Sequence, residues 1–332
     1  MKIQNAICCL TFFAALSAYP VAAVEMQSQT SQLKIQFEKI AGQSDGRLGV
    51  CAIFLNGDVA CANGDQRFSM QSVMKLIVGA AVLDRVDHGE WRLDAPVTIK
   101  KSDLSLNIQP LADIVLNKGE FTTDIGDLVF RAITQSDSAA TDILFARLGG
   151  SPAINAFLES KGIDGIRVDR DERHLQTETG GLTWQPEYTD PDSLDKARAG
   201  VSAEFKEVAF TRYRADVRDT ATPLAMALFL RKLTDGNMLS GRSTSWYLDV
   251  LAKTRTFPDR LKSGTPQDWK IGHKTGTSDT VAGINAVTND VGILTKPDGE
   301  AIAIAVFVAD SRQGSDHRAA LIAACARAVT GK

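Results

Sequence analysis

Strand-type sequence sits at the two ends of this chain, and nearly everything between is written with helical spacing. Near the start, Leu48 to Leu55 and Asp58 to Ala62 read as short strands around Asn56-Gly57. Near the end, Trp269 to Gly272, Gly283 to Leu294 and Ala301 to Ala309 do the same, the last (AIAIAVFVA) almost continuous in apolar and β-branched residues. From about Ser72 to Leu251, segments such as SVMKLIVGAAVLDRV, TTDIGDLVFRAIT and TPLAMALFLRKL space their apolar residues three and four apart. The economical solution is an α/β fold of the α+β type, an antiparallel sheet flanked by helices plus an inserted all-helical domain. The expected division is a discontinuous sheet domain over 24–71 and 223–332 and a mainly helical domain over 72–222. A cleft where the two meet is the natural place for a site.

Of 332 residues, 44% are hydrophobic and 23% charged, which suits a globular protein and excludes collagen, low-complexity disorder and a coiled coil. Lys plus Arg total 37 against 40 Asp plus Glu, with no basic stripe, so nucleic acid is not an expected partner. The first residues pair Lys2 with an apolar run from Ala6 to Ala18 and small residues at Val21-Ala22-Ala23. This reads as a secretory signal peptide over 1–23, leaving no membrane anchor and a periplasmic or secreted protein. No exposed apolar stripe stands out, so a monomer is expected. Cys51 and Cys61 flank Asn56-Gly57 on facing strands. Strict two-residue pairing sets Cys51 opposite Ala62, which leaves a Cys51–Cys61 bridge and two buried thiols both open. Cys325 falls in an apolar helical run and reads as core.

Ser72-Val73-Met74-Lys75 opens a long apolar helix, placing Ser72 in its first turn with Lys75 on the same face three residues on. The helix dipole and burial both disfavour a protonated lysine there, so Lys75 could take the serine proton. Spacing alone proves little, because Ser31 with Lys34 and Ser193 with Lys196 match it too. Context separates them: Ser136-Asp137-Ser138 lies between two helical segments, and Lys274-Thr275-Gly276-Thr277 lies at the end of a predicted strand. Each has a bland alternative, as helix cap, solvated lysine or strand-end turn. Their order, a Ser-x-x-Lys, then Ser-Asp-x, then Lys-Thr-Gly near the C-terminus, is what points to acyl transfer. The four histidines are scattered, and no ligand spacing suggests a metal or organic cofactor.

Between the second and third motifs, Val168-Asp169-Arg170-Asp171-Glu172-Arg173-His174-Leu175-Gln176 resembles the Ω-loop of class A serine β-lactamases, and the resemblance covers most of the chain. It implies the fold shared by β-lactamases and penicillin-binding proteins, and hydrolysis of penicillins or cephalosporins through an acyl-serine intermediate, conferring β-lactam resistance. By that resemblance Ser72 is the nucleophile, Lys75 and Glu172 are bases, and Ser136 relays a proton to the departing nitrogen. Lys274, Thr275, Gly276 and Thr277 form the strand that binds the substrate carboxylate, and the N–H groups of Ser72 and Thr277 form the oxyanion hole. Arg170 and Asp219 resemble the ion pair across the neck of the loop.

The chain departs from the family pattern at defined places. Ser138 stands where an asparagine helps hold the substrate amide, Arg173 replaces a proline, and Gln176 replaces the asparagine that holds the hydrolytic water, one methylene longer. The loop region, about 168–219, is far longer than usual: 46 residues separate Glu172 from Asp219, including Trp184, Tyr188 and a helix-like SLDKARAGVSAEFKEVAF. Asp103 to Asn107 holds no aromatic where one commonly gates the site. Arg318 is a candidate extra cation for the substrate carboxylate or a surface arginine, and Ser278 is expected to border the pocket. Two other readings of the same motifs are a penicillin-binding DD-peptidase-like acyltransferase, which lacks the glutamate loop, and a slow or non-turnover β-lactam binder.

Overall fold

The computed structural model describes residues 19–331, with side chains from Thr30 onward; the apolar run of the expected signal peptide, with Cys8 and Cys9, lies outside them. In chain order the strands are β1 (Arg47–Ile53), β2 (Val59–Ala62), β3 (Phe68–Ser69), β4 (Pro96–Lys100), β5 (Glu120–Asp124), β6 (Thr220–Ala221), β7 (Lys270–Thr277), β8 (Thr280–Val281), β9 (Ile284–Thr295) and β10 (Ala301–Ser311). The main sheet runs β2-β1-β10-β9-β7, with β8 beside β9, and every pairing is antiparallel. Strands from the two ends of the chain therefore close on each other through β1 and β10.

The near-continuous apolar text of β10 follows from burial on both faces. Ile302, Ile304, Val306 and Val308 point to one core, with Leu48, Val50 and Ala52 of β1 and the terminal helices Tyr19–Ala41 and Ser315–Thr330. Ala303, Ala305 and Phe307 point to the other, where the helices Met74–Asp87, Ser138–Leu148 and Pro223–Thr234 pack. Strand side chains alternate with period two, so a strand covered on both sides must be apolar at every position. The helix Met74–Asp87 obeys the same logic in three dimensions. Met74 to Leu83 are all buried, Lys75 among them, because helices surround it on all sides. Cys325 is buried in the first of these cores as a free thiol.

The turn between β1 and β2 corrects the expected register. Gly57 N–H donates to Phe54 C=O and Phe54 N–H to Asp58 C=O, so three residues, Leu55 to Gly57, form the loop instead of two. Gly57 closes it at φ +87°, a left-handed conformation in which a Cβ is disfavoured. The one-residue change sets Cys51 opposite Cys61, not Ala62, and the two are joined by a disulfide. The Lys-Thr-Gly motif is likewise within β7, which runs past the expected end at Gly272. In the long loop, the single helix-like run is two helices, Pro191–Gly200 and Ala203–Ala215, the second capped by Ser202 Oγ accepting from Phe205 N–H.

Candidate active site

Ser72 lies in a 3-10 turn, Gln71–Val73, directly ahead of the helix that begins at Met74. The residue before it, Gln71, sits at φ +48°, a sparsely populated conformation for a non-glycine residue, in a side chain only 2% exposed. The surroundings fix that turn. Met70 N–H donates to Asp219 C=O, and Asn289 Nδ2 on β9 donates to the carbonyls of Ser69 (2.9 Å) and Met70 (3.1 Å). Gly276 on β7 is pressed against it so closely that a Cβ there would lie 2.4 Å from Met70 O. Glycine in the Lys-Thr-Gly motif thus lets the edge strand approach the backbone just ahead of Ser72.

Lys75 is fully buried, and four oxygens surround its ammonium. Nζ donates to Ser136 C=O (2.6 Å), Ser138 Oγ (3.1 Å) and, more weakly, Ser136 Oγ (3.4 Å), and lies 3.2 Å from Glu172 Oε1. Asp137 holds the Ser136-Asp137-Ser138 turn by accepting from Ala140 N–H and Leu111 N–H, which caps the helix Ser138–Leu148. Ser136, at φ +58°, presents its hydroxyl to a second lysine: Lys274 Nζ donates to Ser136 Oγ at 3.0 Å and to Thr275 C=O at 2.9 Å. Burial, and then the charge of Lys75, push the Lys274 ammonium well below the ordinary lysine range.

Glu172 begins the helix Glu172–Thr179, capped by Asp171. Its backbone N–H donates to Asp142 Oδ1 at 2.7 Å, and its Oε2 accepts from Gln176 Nε2 at 3.0 Å. Within the charged run Asp169 to Arg173, Glu172 is folded inward and 1% exposed. Arg173 turns away to Asp103 C=O and packs over the Trp184 ring. At the neck of the loop, Arg170 Nε donates to Asp219 Oδ2 at 2.6 Å, as the motif comparison implied.

Further along β7, Thr275 Oγ1 pairs with Thr256 Oγ1 (2.7 Å), and Thr277 Oγ1 accepts from Arg260 Nη2 (2.7 Å). Arg260 was not among the sequence candidates. It is 3% exposed, lies over the Phe257 ring and is seated by Leu261 N–H donating to Asp290. Nothing in its local sequence marks it, because the loop reaches Thr277 only through the sheet. Arg318 is buried rather than superficial and donates to Thr288 Oγ1, on the strand beside Thr277. Ser278 Oγ is committed to the turn, accepting from Val287 N–H and donating to Asp279 C=O. The structure thus gathers Lys75, Ser136, Ser138, Glu172 and Lys274 into one buried polar group, with Ser72 and Thr277 at its half-exposed edge. Such a group can activate a hydroxyl, move a proton and hold an anion.

A model of the β-lactamase enzyme family matches residues 32–332. The chain is 30% identical to a β-lactamase of Citrobacter koseri, over 97% of this chain and 94% of that one. It is 29% identical to β-lactamase Toho-1 of Escherichia coli, over 93% and 92%. Among solved structures, a β-lactamase from Chitinophaga pinensis superposes with a TM-score of 0.74 at 30% identity, covering 90% of this chain and 98% of that one. An ancestral class A β-lactamase gives 0.71 at 33% identity, over 90% and 99%.

Proposed function

The chain belongs to the β-lactamase enzyme family and is a serine β-lactamase of class A type, and from that premise we propose how its residues divide the reaction. Glu172 first takes a proton from the Lys75 ammonium, 3.2 Å away, and Ser72 Oγ then attacks the β-lactam carbonyl as the neutral Lys75 takes its proton. The N–H groups of Ser72 and Thr277 hold the developing oxyanion. The ring C–N bond breaks as Ser136, between the two lysines, delivers a proton to the departing nitrogen and regains one from Lys75, which Glu172 then reprotonates. Glu172 then takes a proton from the water that attacks the acyl-Ser72 ester, and cleavage of that ester restores Ser72 and releases the opened product.

Lys274, Thr275 and Thr277 bind the substrate carboxylate along β7, and Arg260 adds a fixed guanidinium at the same strand end. Ser138 holds Lys75 in place, and Gln176 holds Glu172. The observation that carries this reading is the buried contact between Lys75 and Glu172. It puts a second base beside the nucleophile's helix, which hydrolysis of the acyl-enzyme needs and a DD-peptidase-like site lacks. The test is turnover of a chromogenic cephalosporin with intact-mass spectrometry: Ser72→Ala gives neither turnover nor adduct, and Glu172→Gln gives a persistent adduct. Unchanged turnover in Glu172→Gln overturns the role of that residue.

The same proposal places the protein outside the cytoplasm as a monomer. The apolar N-terminal run followed by small residues supports export, and the Cys51–Cys61 disulfide suits an oxidising compartment. Fractionation of expressing cells and light scattering of the purified protein test these points.

A further inference from the structure

Tyr213 belongs to the second helix of the long loop, Ala203–Ala215, yet its hydroxyl lies beside the nucleophile's turn. It is 2.6 Å from Ser69 Oγ and accepts from Gln71 Nε2. Gln71 Oε1 in turn accepts from Gln176 Nε2 at 3.0 Å, and the same Gln176 nitrogen donates to Glu172 Oε2 at 3.0 Å. Gln176 Oε1 accepts from Asn107 Nδ2, and Asn107 Oδ1 accepts from Arg198 Nη2 on the first inserted helix, Pro191–Gly200. Both inserted helices are therefore wired to the one amide that touches the base. Packing follows the same route: Phe210 and Tyr213 form a small core with Leu175, which lies on the Glu172 helix, and Ala286 of β9.

We propose that the inserted helix pair, through Tyr213 and Gln71, positions Glu172 for deacylation; the proposal rests on the assignment of Glu172 as the base that activates water. The chain of bonds has one consistent polarity. A phenol that accepts from Gln71 has its own hydrogen left for Ser69 Oγ. Burial raises the Tyr213 hydroxyl to about 12, so that hydrogen stays on across the working range. With Nε2 of Gln71 committed to Tyr213, its Oε1 must face Gln176. Gln176 is then fixed with its two N–H groups toward Gln71 and Glu172. Turning Gln176 over would set its oxygen against Gln71 Oε1 and Glu172 Oε2, and turning Gln71 over would set its amide nitrogen against Gln176 Nε2. One Gln176 nitrogen, carried a methylene further than an asparagine's, meets both Gln71 Oε1 and Glu172 Oε2 at 3.0 Å. The residue that reads as a departure from the family pattern and the inserted helices are two parts of one device. Tyr213 touches neither substrate nor the reacting atoms, so it is a positioning residue.

Single-turnover and steady-state kinetics of the full chain with a penicillin test this, separating acylation from deacylation. Tyr213→Phe keeps the ring and leaves Gln71 Nε2 without its acceptor. Deacylation slows about tenfold, the size of one lost buried hydrogen bond, while acylation stays within about twofold and an acyl-enzyme accumulates in the mass spectrum. Gln176→Leu slows deacylation too, and the double variant is no slower than the worse single one, since both act on the same carboxylate. Val208→Ser, at an exposed site on the same helix, leaves both steps unchanged. Proportional loss of both steps in Tyr213→Phe, an unchanged acyl-enzyme lifetime, or additive effects with Gln176→Leu overturn the proposal. Glu172→Gln, run in parallel, separates the two levels. If it traps no adduct, the assignment of the base fails; if it traps one while Tyr213→Phe does not slow deacylation, only the positioning role fails.

Discussion

Lys75 Nζ lies 3.2 Å from Glu172 Oε1, and each side chain is only 1% exposed. Neither charge reaches bulk water, so each depends on the other. Removing one partner of such a pair leaves an uncompensated charge, typically about 3–5 kcal/mol of stability, whereas removing both restores neutrality. Lys75→Met and Glu172→Gln are therefore each expected to lower the urea midpoint clearly, and the double variant to recover most of the loss. Additive losses in chemical denaturation would contradict this account of the pair.

The neck of the loop depends on Asp219 in the same way. Its carboxylate, fully buried, accepts from Asp169 N–H (2.6 Å), Arg170 N–H (2.9 Å) and Arg170 Nε (2.6 Å), while its own backbone carbonyl takes Met70 N–H. Arg170→Met leaves this carboxylate without its charge partner and unmoors the segment that leads into Glu172. Faster limited proteolysis within 171–218 is the expected result, with deacylation slowed more than acylation. Wild-type protease resistance would show that the backbone donors alone hold the loop.

How much of this was legible in the sequence depends on how local each signal is. The terminal strands and helical middle were readable because period two and period 3.6 are short-range patterns, and β10 showed as a strand in nine nearly continuous apolar residues. Ser72, Ser136 and Lys274 were readable from motif order, and Glu172 from its resemblance to a known loop. The disulfide register was not, since one residue of turn length decides which cysteine faces which, and Asn-Gly fits both loops. Arg260, Asn289 and Tyr213 were not readable either. Asn289 and Tyr213 meet residues far away in the chain, Arg260 meets Thr277 only once the sheet has formed, and Tyr213 sits in an ordinary helical pattern.

If Lys274 and Arg260 face the substrate carboxylate as proposed, they set an alkaline limit to activity. Burial pushes Lys274 well below the usual lysine range and Arg260 down to about 10. Only the charged forms attract a carboxylate, so kcat/KM falls as pH rises through these lowered values, mainly through KM. Lys274→Arg moves that limb to higher pH, and Arg260→Ala raises KM about tenfold with little change in kcat. Linkage has the opposite sign in the free enzyme. The unfolded chain binds these protons more tightly, so the two groups add stability as pH climbs from their folded values toward their unfolded ones. A limb that stays put in Lys274→Arg would remove Lys274 as its source.

The Cys51–Cys61 bridge joins neighbouring strands and closes a short loop, with a sequence separation of 10. Chain-entropy reasoning gives such a loop about 2.5 kcal/mol, less whatever the hairpin already retains when unfolded. Cys51 packs in the core that holds Val73 and Met74 beside the nucleophile, but neither sulfur touches the catalytic group. Reduction should therefore lower the melting temperature by several degrees while kcat at 25 °C is unchanged. Thermal melts and turnover with and without reductant, alongside the two-dalton mass change that confirms reduction, separate these effects. Loss of activity well below the melting transition of the reduced protein would mean that the bridge holds the site itself and not only the fold beneath it.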